Sequence, residues 1–318
     1  MNHHLKLLEQ VPPILLPKEI TSARLIKGGL NNRNILVNES WLVKEYLIRD
    51  EPNDPVYLRF LREKDCLLLL QHNQYAPQLL KYYEDGNQYF ITRKWIEGQI
   101  FSNENLDNNL ELLKLLVNAI ISIHRTTGSL SGDFHYYDVI KRYLLEYKEI
   151  ERQYPTSPSL DKYFSDFPAY EKIDWFFNDH IHQLQRKNSL KALVRIHGDL
   201  VFSNIILIPK TSKIALIDWE YSTLADPCID LAYFITQNQL SPEIQQTFIE
   251  QYQEKLGYQI LPEVLKLTCD LMDLMAGLWY VIQAARLEAT SLLENQPPPS
   301  SELISIAQKK FRILSLME

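Results

Sequence analysis

The sequence predicts an α+β protein built as two lobes, a small β-rich one over residues 1–97 and a larger, mainly helical one over residues 98–318. Two observations carry that expectation. The first hundred residues alternate short β-like runs with a single helical stretch, whereas the remainder repeats apolar residues at helical spacing. The later helical region is broken by one hairpin pattern, which runs from Asn204 to Asp218.

Taken in order, Ser22 to Ile26, Asn34 to Val37 and Trp41 to Tyr46 read as strands, the first two joined through Lys27-Gly28-Gly29-Leu30-Asn31-Asn32. Pro55 to His72 follows as a helix, with Leu58, Leu61, Leu68 and Leu69 near one face. Leu79 to Tyr83 and Gln88 to Arg93 are strands around the turn Glu84-Asp85-Gly86-Asn87, and Lys94-Trp95-Ile96-Glu97-Gly98 reads as the connector between lobes. Leu113, Leu116, Val117 and Ile120 then fall at i, i+3, i+4 and i+7, predicting a core helix over Leu106 to Thr126 with His124 on the same buried face. That histidine is expected to be hydrogen-bonded in the core rather than chemical. Asp138 to Arg152 and Tyr170 to Arg186 are further helices, separated by the Tyr154-Pro155-Thr156-Ser157-Pro158 break. Pro242 to Glu254 and Pro262 to Leu287 each place a proline in the first helical turn. A mobile loop through Gln296-Pro297-Pro298-Pro299 is expected before a last helix that ends near Met317.

With 318 residues, 46% hydrophobic and 23% charged, the chain has the composition of a folded globular protein with a sizeable core. A net charge of −7 and a pI near 5.7 argue against nonspecific nucleic-acid binding and fit a small or cationic ligand. Cys66, Cys228 and Cys269 are odd in number and far apart, so neither a disulfide framework nor a zinc site is indicated. No apolar stretch is long enough to span a membrane, and prolines and a glutamate interrupt Met1 to Ile20 where a signal peptide would be continuous. A cytoplasmic protein with reduced thiols and no membrane partner is the expectation; the sequence is silent on oligomeric state.

The chemistry is concentrated in His197-Gly198-Asp199, Asn204, and the run Ile214-Ala215-Leu216-Ile217 that delivers Asp218-Trp219-Glu220-Tyr221. Phosphoryl transfer to a hydroxyl needs a carboxylate to orient or deprotonate the acceptor, and oxygen ligands to hold Mg²⁺ on the nucleotide phosphates. Asp199 suits the first role; Asn204 and Asp218 suit the second. A hairpin through Pro209 to Lys213 would return Asp218 to the side of Asn204. Upstream, Lys44 lies in an otherwise apolar strand, where it needs solvent or an anion, and an ATP phosphate or Glu63 would serve. Gly28-Gly29 would let backbone amides approach a phosphate, and serves equally as a plain turn.

In this order of motifs the chain resembles the kinase-like small-molecule phosphotransferases, the group that holds aminoglycoside phosphotransferases, choline and ethanolamine kinases and thiamine kinase. The resemblance runs over nearly the whole length and implies a bilobal protein-kinase-like fold with ATP and Mg²⁺ as cofactors. It implies that Lys44 grips nucleotide phosphates, that Glu63 is its helix partner, and that Lys94, Trp95 and Ile96 form a hinge offering backbone groups to adenine. Asp199 matches the catalytic base, Asn204 and Asp218 the Mg²⁺ ligands, and His197 and Asp230 residues that brace the catalytic loop. A pseudokinase would be expected to lack one of these groups, and all are present.

For the acceptor, two features resemble choline kinases: the acidic Glu220 beside Tyr221 in Ile217-Asp218-Trp219-Glu220-Tyr221, and Trp279-Tyr280 in Gly277-Leu278-Trp279-Tyr280-Val281-Ile282. Glu220, Tyr221, Trp279 and Tyr280 are therefore the expected substrate contacts, and choline, a small cationic alcohol, the expected substrate. An aromatic face is a natural wall for a quaternary ammonium, which cannot donate a strong hydrogen bond. A tryptophan on an apolar helix also serves simply as core. Two positions depart from choline kinases. Gly198 is what aminoglycoside enzymes carry, and Ala276 stands where a second tryptophan is common, leaving Tyr233, Tyr280 or Phe311 to complete an aromatic box. Thiamine kinase and aminoglycoside phosphotransferase are the alternatives.

Overall fold

The computed structural model describes residues 3–26, 32–47, 56–107, 110–153, 166–187, 193–209, 213–257, 259–294 and 301–317. Gly28, Gly29, the Tyr154–Pro158 break and the Gln296–Pro299 loop lie outside the described residues. The chain packs as two compact units: residues 1–133, 194–224 and 241–257 form the first, and residues 134–193, 225–240 and 258–318 the second. The 1–97 segment lies within the first unit, together with both halves of the hairpin motif.

The first unit is organised by a five-stranded antiparallel sheet of order β1-β2-β3-β5-β4, where β1 is Ala23–Ile26, β2 Asn32–Val37, β3 Trp41–Tyr46, β4 Leu79–Glu84 and β5 Tyr89–Lys94. Alternation assigns opposite jobs to the two faces. Ile35, Val37, Val43 and Phe90 pack with Leu8, Val11 and Leu15 from the N-terminal segment into one apolar cluster. The other face carries Asn32, Asn34, Lys44 and Tyr46, since the register pairs Asn34 with Lys44 and Asn32 with Tyr46. Helix Val56–Leu69 packs against β3, β4 and β5, its Phe60 meeting Tyr46 edge-on at 5.7 Å. The turn between β4 and β5 forms as expected, because Asp85 Oδ1 accepts from the backbone N–H groups of Asn87 and Gln88.

A smaller three-stranded sheet joins Gln99–Ile100 to the hairpin of Ile205–Ile208 and Lys213–Leu216, with Ile205 opposite Leu216. Helix Leu110–His124 supports it and also packs on helix Pro242–Leu256. His124 is buried and bonds Tyr252 through Nδ1 at 2.6 Å, the satisfied core histidine that its helical face implied.

The second unit is helical: Asp138–Gln153, Tyr170–Arg186, Cys228–Gln237, Pro262–Glu294 and Ser301–Ile313. The long helix from Pro262 contacts each of the others. Its Asp273 makes a buried ion pair with Lys310 at 2.6 Å, and Lys310 also donates to the Thr236 carbonyl. Among the described residues no helix is long and apolar enough to cross a membrane. All three cysteines are free; Cys66 and Cys228 are buried and Cys269 partly so.

Candidate active site

The groups of the hairpin motif and the strand lysine meet within the first unit. Lys44 is central in its sheet, paired with Asn34 on one side and Ile91 on the other. Its ammonium lies 2.5 Å from Glu63 Oε2, 2.5 Å from Asp218 Oδ1 and 3.3 Å from Glu220 Oε2. Burial pulls the ammonium's pKa down, but Asp218, Glu220 and Glu63 more than offset this and leave it raised. Lys44 is therefore a fixed positive charge at any working pH. Tyr46, two residues along the same face, donates its hydroxyl to Glu63 Oε2 at 2.5 Å. Burial first, then Glu63, hold that phenol well above its usual range, so it remains a donor.

The oxygens of Glu63, Asp218 and Glu220 lie within 4.8 Å of one another, a grouping that favours a cation. Lys44 is the cation among them. Asp218 is the member open to an added ion, its side chain 35% exposed against 1% for Glu63 and 5% for Glu220. Its backbone has φ +69°, a left-handed conformation that aspartate tolerates better than most residues.

The loop that carries Asp199 is fixed by short polar contacts. Asn204 Nδ2 donates to the Asp199 carboxylate at 2.8 Å and to its carbonyl at 3.0 Å. The same amide thereby steadies Asp199 and keeps Oδ1 as its acceptor. Ile217 N–H donates to the Asn204 carbonyl at 2.9 Å, joining the loop to the strand that ends at Asp218. His197 is buried, with Nε2 3.0 Å from the Ile217 carbonyl and Nδ1 3.2 Å from the Asp199 N–H. Those partners select the neutral tautomer with hydrogen on Nε2, a brace for the loop. Gly198 has φ +81°, and a Cβ there would lie 2.3 Å from the Tyr221 carbonyl oxygen. This loop therefore requires glycine for backbone reasons, whatever the acceptor.

Hard oxygen donors suit Mg²⁺, and Asn204 Oδ1 with the half-exposed Asp218 carboxylate supply them on neighbouring strand ends. At the hinge, the N–H groups of Lys94 and Trp95 are already donated to the carbonyls of Gln78 and Ser40. A base edge docking there would have to use the Ile96 N–H, which narrows the expected three-residue contact.

Glu220 is buried among polar partners. It is 4% exposed, and its carboxylate accepts from Asn32 Nδ2 at 3.0 Å as well as from Lys44. Tyr221, also in the first unit, is half-buried. Trp279 and Tyr280 belong to the long helix of the second unit, both half-buried, their rings edge-to-face at 5.1 Å. Phe311 is fully buried between Tyr147 and Phe167 and is an interior residue. Asp230 is buried in helix Cys228–Gln237.

Sequence reasoning did not single out Asn32, Tyr46, Arg59 and Arg62. Tyr46 was legible as the next same-face residue after Lys44, and the two arginines stand beside Glu63 on the buried side of a helix where solvent would be expected to take them.

Residues 22–267 match the profile of the Phosphotransferase enzyme family, and the chain belongs to that family. The LicA homolog of Metamycoplasma hominis is 27% identical over 216 residues, covering 68% of this chain and 74% of the relative. The crystal structure of choline kinase LicA from Streptococcus pneumoniae is similar at a TM-score of 0.68, 20% identity and 98% coverage of both chains. The GDP complex of wild-type aminoglycoside 2′-phosphotransferase-IIIa reaches a TM-score of 0.63 at 17% identity, covering 98% of this chain and 99% of that one. The fold is thus kinase-like, the α+β class expected from the sequence.

Proposed function

We propose that this protein transfers the γ-phosphoryl group of ATP, with Mg²⁺, to the hydroxyl of a small cationic alcohol, with choline as the first candidate. The observation that carries the reading is the joint placement of Lys44 with Glu63 and Asp218, and of Asp199 with Asn204, in one unit. Lys44 supplies a fixed positive charge for nucleotide phosphate, held from behind by Glu63 and Tyr46. Asp199, aimed by Asn204 Nδ2 and by the loop that His197 braces, orients the acceptor hydroxyl and accepts its proton. Asn204 Oδ1 and Asp218 would hold Mg²⁺, which when bound supplies the charge neutralisation that phosphoryl transfer needs.

Choline is favoured by the LicA relative and by the choline kinase among the structural neighbours. Trp279 and Tyr280, the contacts implied by the sequence resemblance, would offer a quaternary ammonium aromatic faces worth about 0.5–2 kcal/mol each. The test is ADP production by the purified protein with Mg·ATP against choline, ethanolamine, thiamine, simple sugars and kanamycin. Choline-dependent ADP release is the expected result. Faster turnover with thiamine or kanamycin would reassign the acceptor, and no ADP above background with any alcohol would overturn the kinase reading itself.

A further inference from the structure

Glu220 is joined to three separate segments of the first unit. Its backbone carbonyl accepts from Arg62 Nε at 2.6 Å, and its carboxylate accepts from Asn32 on β2 and Lys44 on β3 while facing Arg59 Nη1 at 3.9 Å. Arg59 and Arg62 are both buried, on the helix that carries Glu63. Space for the Arg62 stem depends on Gly132, where a Cβ would come within 2.7 Å of Arg62 Cγ. Two arginines do not enter an interior without a compensating task.

That task can be read from the short loop between Asp218 and Ser222. Asp218 holds a left-handed backbone, which persists only where the surroundings over-determine it. Trp219 is fully buried, its Nε1 donating to the Leu216 carbonyl at 3.0 Å and its ring 4.4 Å from that of His197. Ser222 N–H donates back to the Trp219 carbonyl, and Ser222 Oγ to the Ile196 carbonyl at 2.7 Å. The Arg62 hydrogen bond to the Glu220 carbonyl ties the same loop to the helix, so the peptide that follows Asp218 is held by Trp219 and by Arg62, while Ile217 N–H, donated to the Asn204 carbonyl, holds the residue before it.

Resting on the kinase reading above, we propose that Arg62 and Glu220 are positioning residues for the cation-binding carboxylate, and that Glu220 does not contact the acceptor. Arg62 fixes the peptide two residues beyond Asp218; Glu220, so placed, delivers its carboxylate to Lys44 and Asn32. Asp218 is thereby kept at the edge of the cluster with an oxygen turned outward. Lysine cannot replace Arg62 in this role, because a single flexible ammonium lacks the guanidinium's fixed donor geometry. Changing partners that orient a metal ligand typically weakens metal affinity about 10- to 100-fold.

The test uses the full-length protein and its R62K and E220Q variants. Free Mn²⁺, an EPR-visible substitute for Mg²⁺, is counted in titrations with ADP present, and KM for the acceptor is measured alongside. Both variants are expected to weaken Mn²⁺ binding about 10- to 100-fold with acceptor KM unchanged. Wild-type Mn²⁺ affinity in R62K, or a rise in acceptor KM in E220Q without loss of Mn²⁺ affinity, would overturn the proposal. Where E220Q gives no cooperative melt, R62K alone decides. A wild-type protein that binds no Mn²⁺ with ADP would instead defeat the kinase reading, and this inference with it.

Discussion

Each unit buries a lysine against carboxylates, and the two arrangements differ in their charge balance. Lys310 in the second unit has one carboxylate, Asp273, plus the Thr236 carbonyl, and the group is closed. Lys44 in the first unit has three, and with Arg59 Nη1 3.9 Å from Glu220 the three carboxylates still outnumber the two cations beside them. A closed pair suits a structural tie between helices. An unbalanced cluster with its outermost carboxylate half-exposed suits a place where charges are exchanged, phosphate for Asp218 on the lysine and a cation for Lys44 on Asp218.

The largest expected effect bears on the working side. Asp199→Asn should lower kcat about 10²- to 10⁴-fold while ADP binding, followed by calorimetry, stays near that of the parent. Turnover near the parent value would remove Asp199 from the role of base and leave the Lys44 cluster as a nucleotide-binding feature only.

Next in size are the two lysines exchanged for methionine. Lys310→Met leaves Asp273 buried without its cation, at a cost of about 3–5 kcal/mol read from denaturant melts, and Mg²⁺ should not restore it. Lys44→Met leaves three carboxylates facing one another, so its loss of stability should be large in EDTA and substantially recovered in millimolar Mg²⁺. Equal response of the two variants to Mg²⁺ would erase the proposed distinction.

The Asp273–Lys310 pair also has a pH signature. Burial pushes the Asp273 carboxyl above the usual range, and Lys310 only partly offsets it. A carboxyl raised in the fold binds its proton more readily folded than unfolded, so its contribution to stability improves as pH falls through the folded value toward the ordinary one near 3.9. At neutral pH burial of the charged Asp273 carboxylate is thus only partly compensated by Lys310. D273L/K310M together should match or exceed the parent in thermal melts at pH 7, where either single change lowers it.

Much of this organisation could be read from the residues, and the exceptions have physical causes. Trp41–Tyr46 and Tyr170–Arg186 fall where expected, because a buried strand with period two and a helix with an apolar stripe write their boundaries into the chain. Within Leu106 to Thr126, expected as one helix, the described residues are helical up to Asp107 and again over Leu110–His124. The first helix, His3–Leu8, and helix Cys228–Gln237, which carries Asp230, were not anticipated as helices. At the site, Lys44, Glu63, Asp199, Asn204 and Asp218 were legible as types suited to one reaction. The partners of Glu220, Asn32 and Arg62, stand 188 and 158 residues away in sequence, and no local pattern announces them.

The smallest effect concerns the thiols, and it extends the comparison of the units to groups that carry no charge at working pH. Burial pushes Cys66 in the first unit up to about 12 and Cys269 in the second up to about 12, and raises Cys228 as well. For Cys66 the hydrogen bond to Ser222 at 3.4 Å pulls the other way without overcoming burial. The thiolate is the reactive species, and at pH 8 a thiol near 12 is ionised in only about one molecule in 10⁴. Native protein should thus react slowly with a disulfide reagent at pH 8, with all three thiols released only on denaturation. Cys269 is the most exposed of them and should be the first to respond as local opening brings solvent to the second unit. A fast thiol traced by peptide mapping to Cys66 would instead show that the segment around Ser222, and with it the Asp218 loop, opens more readily than the closed helical unit.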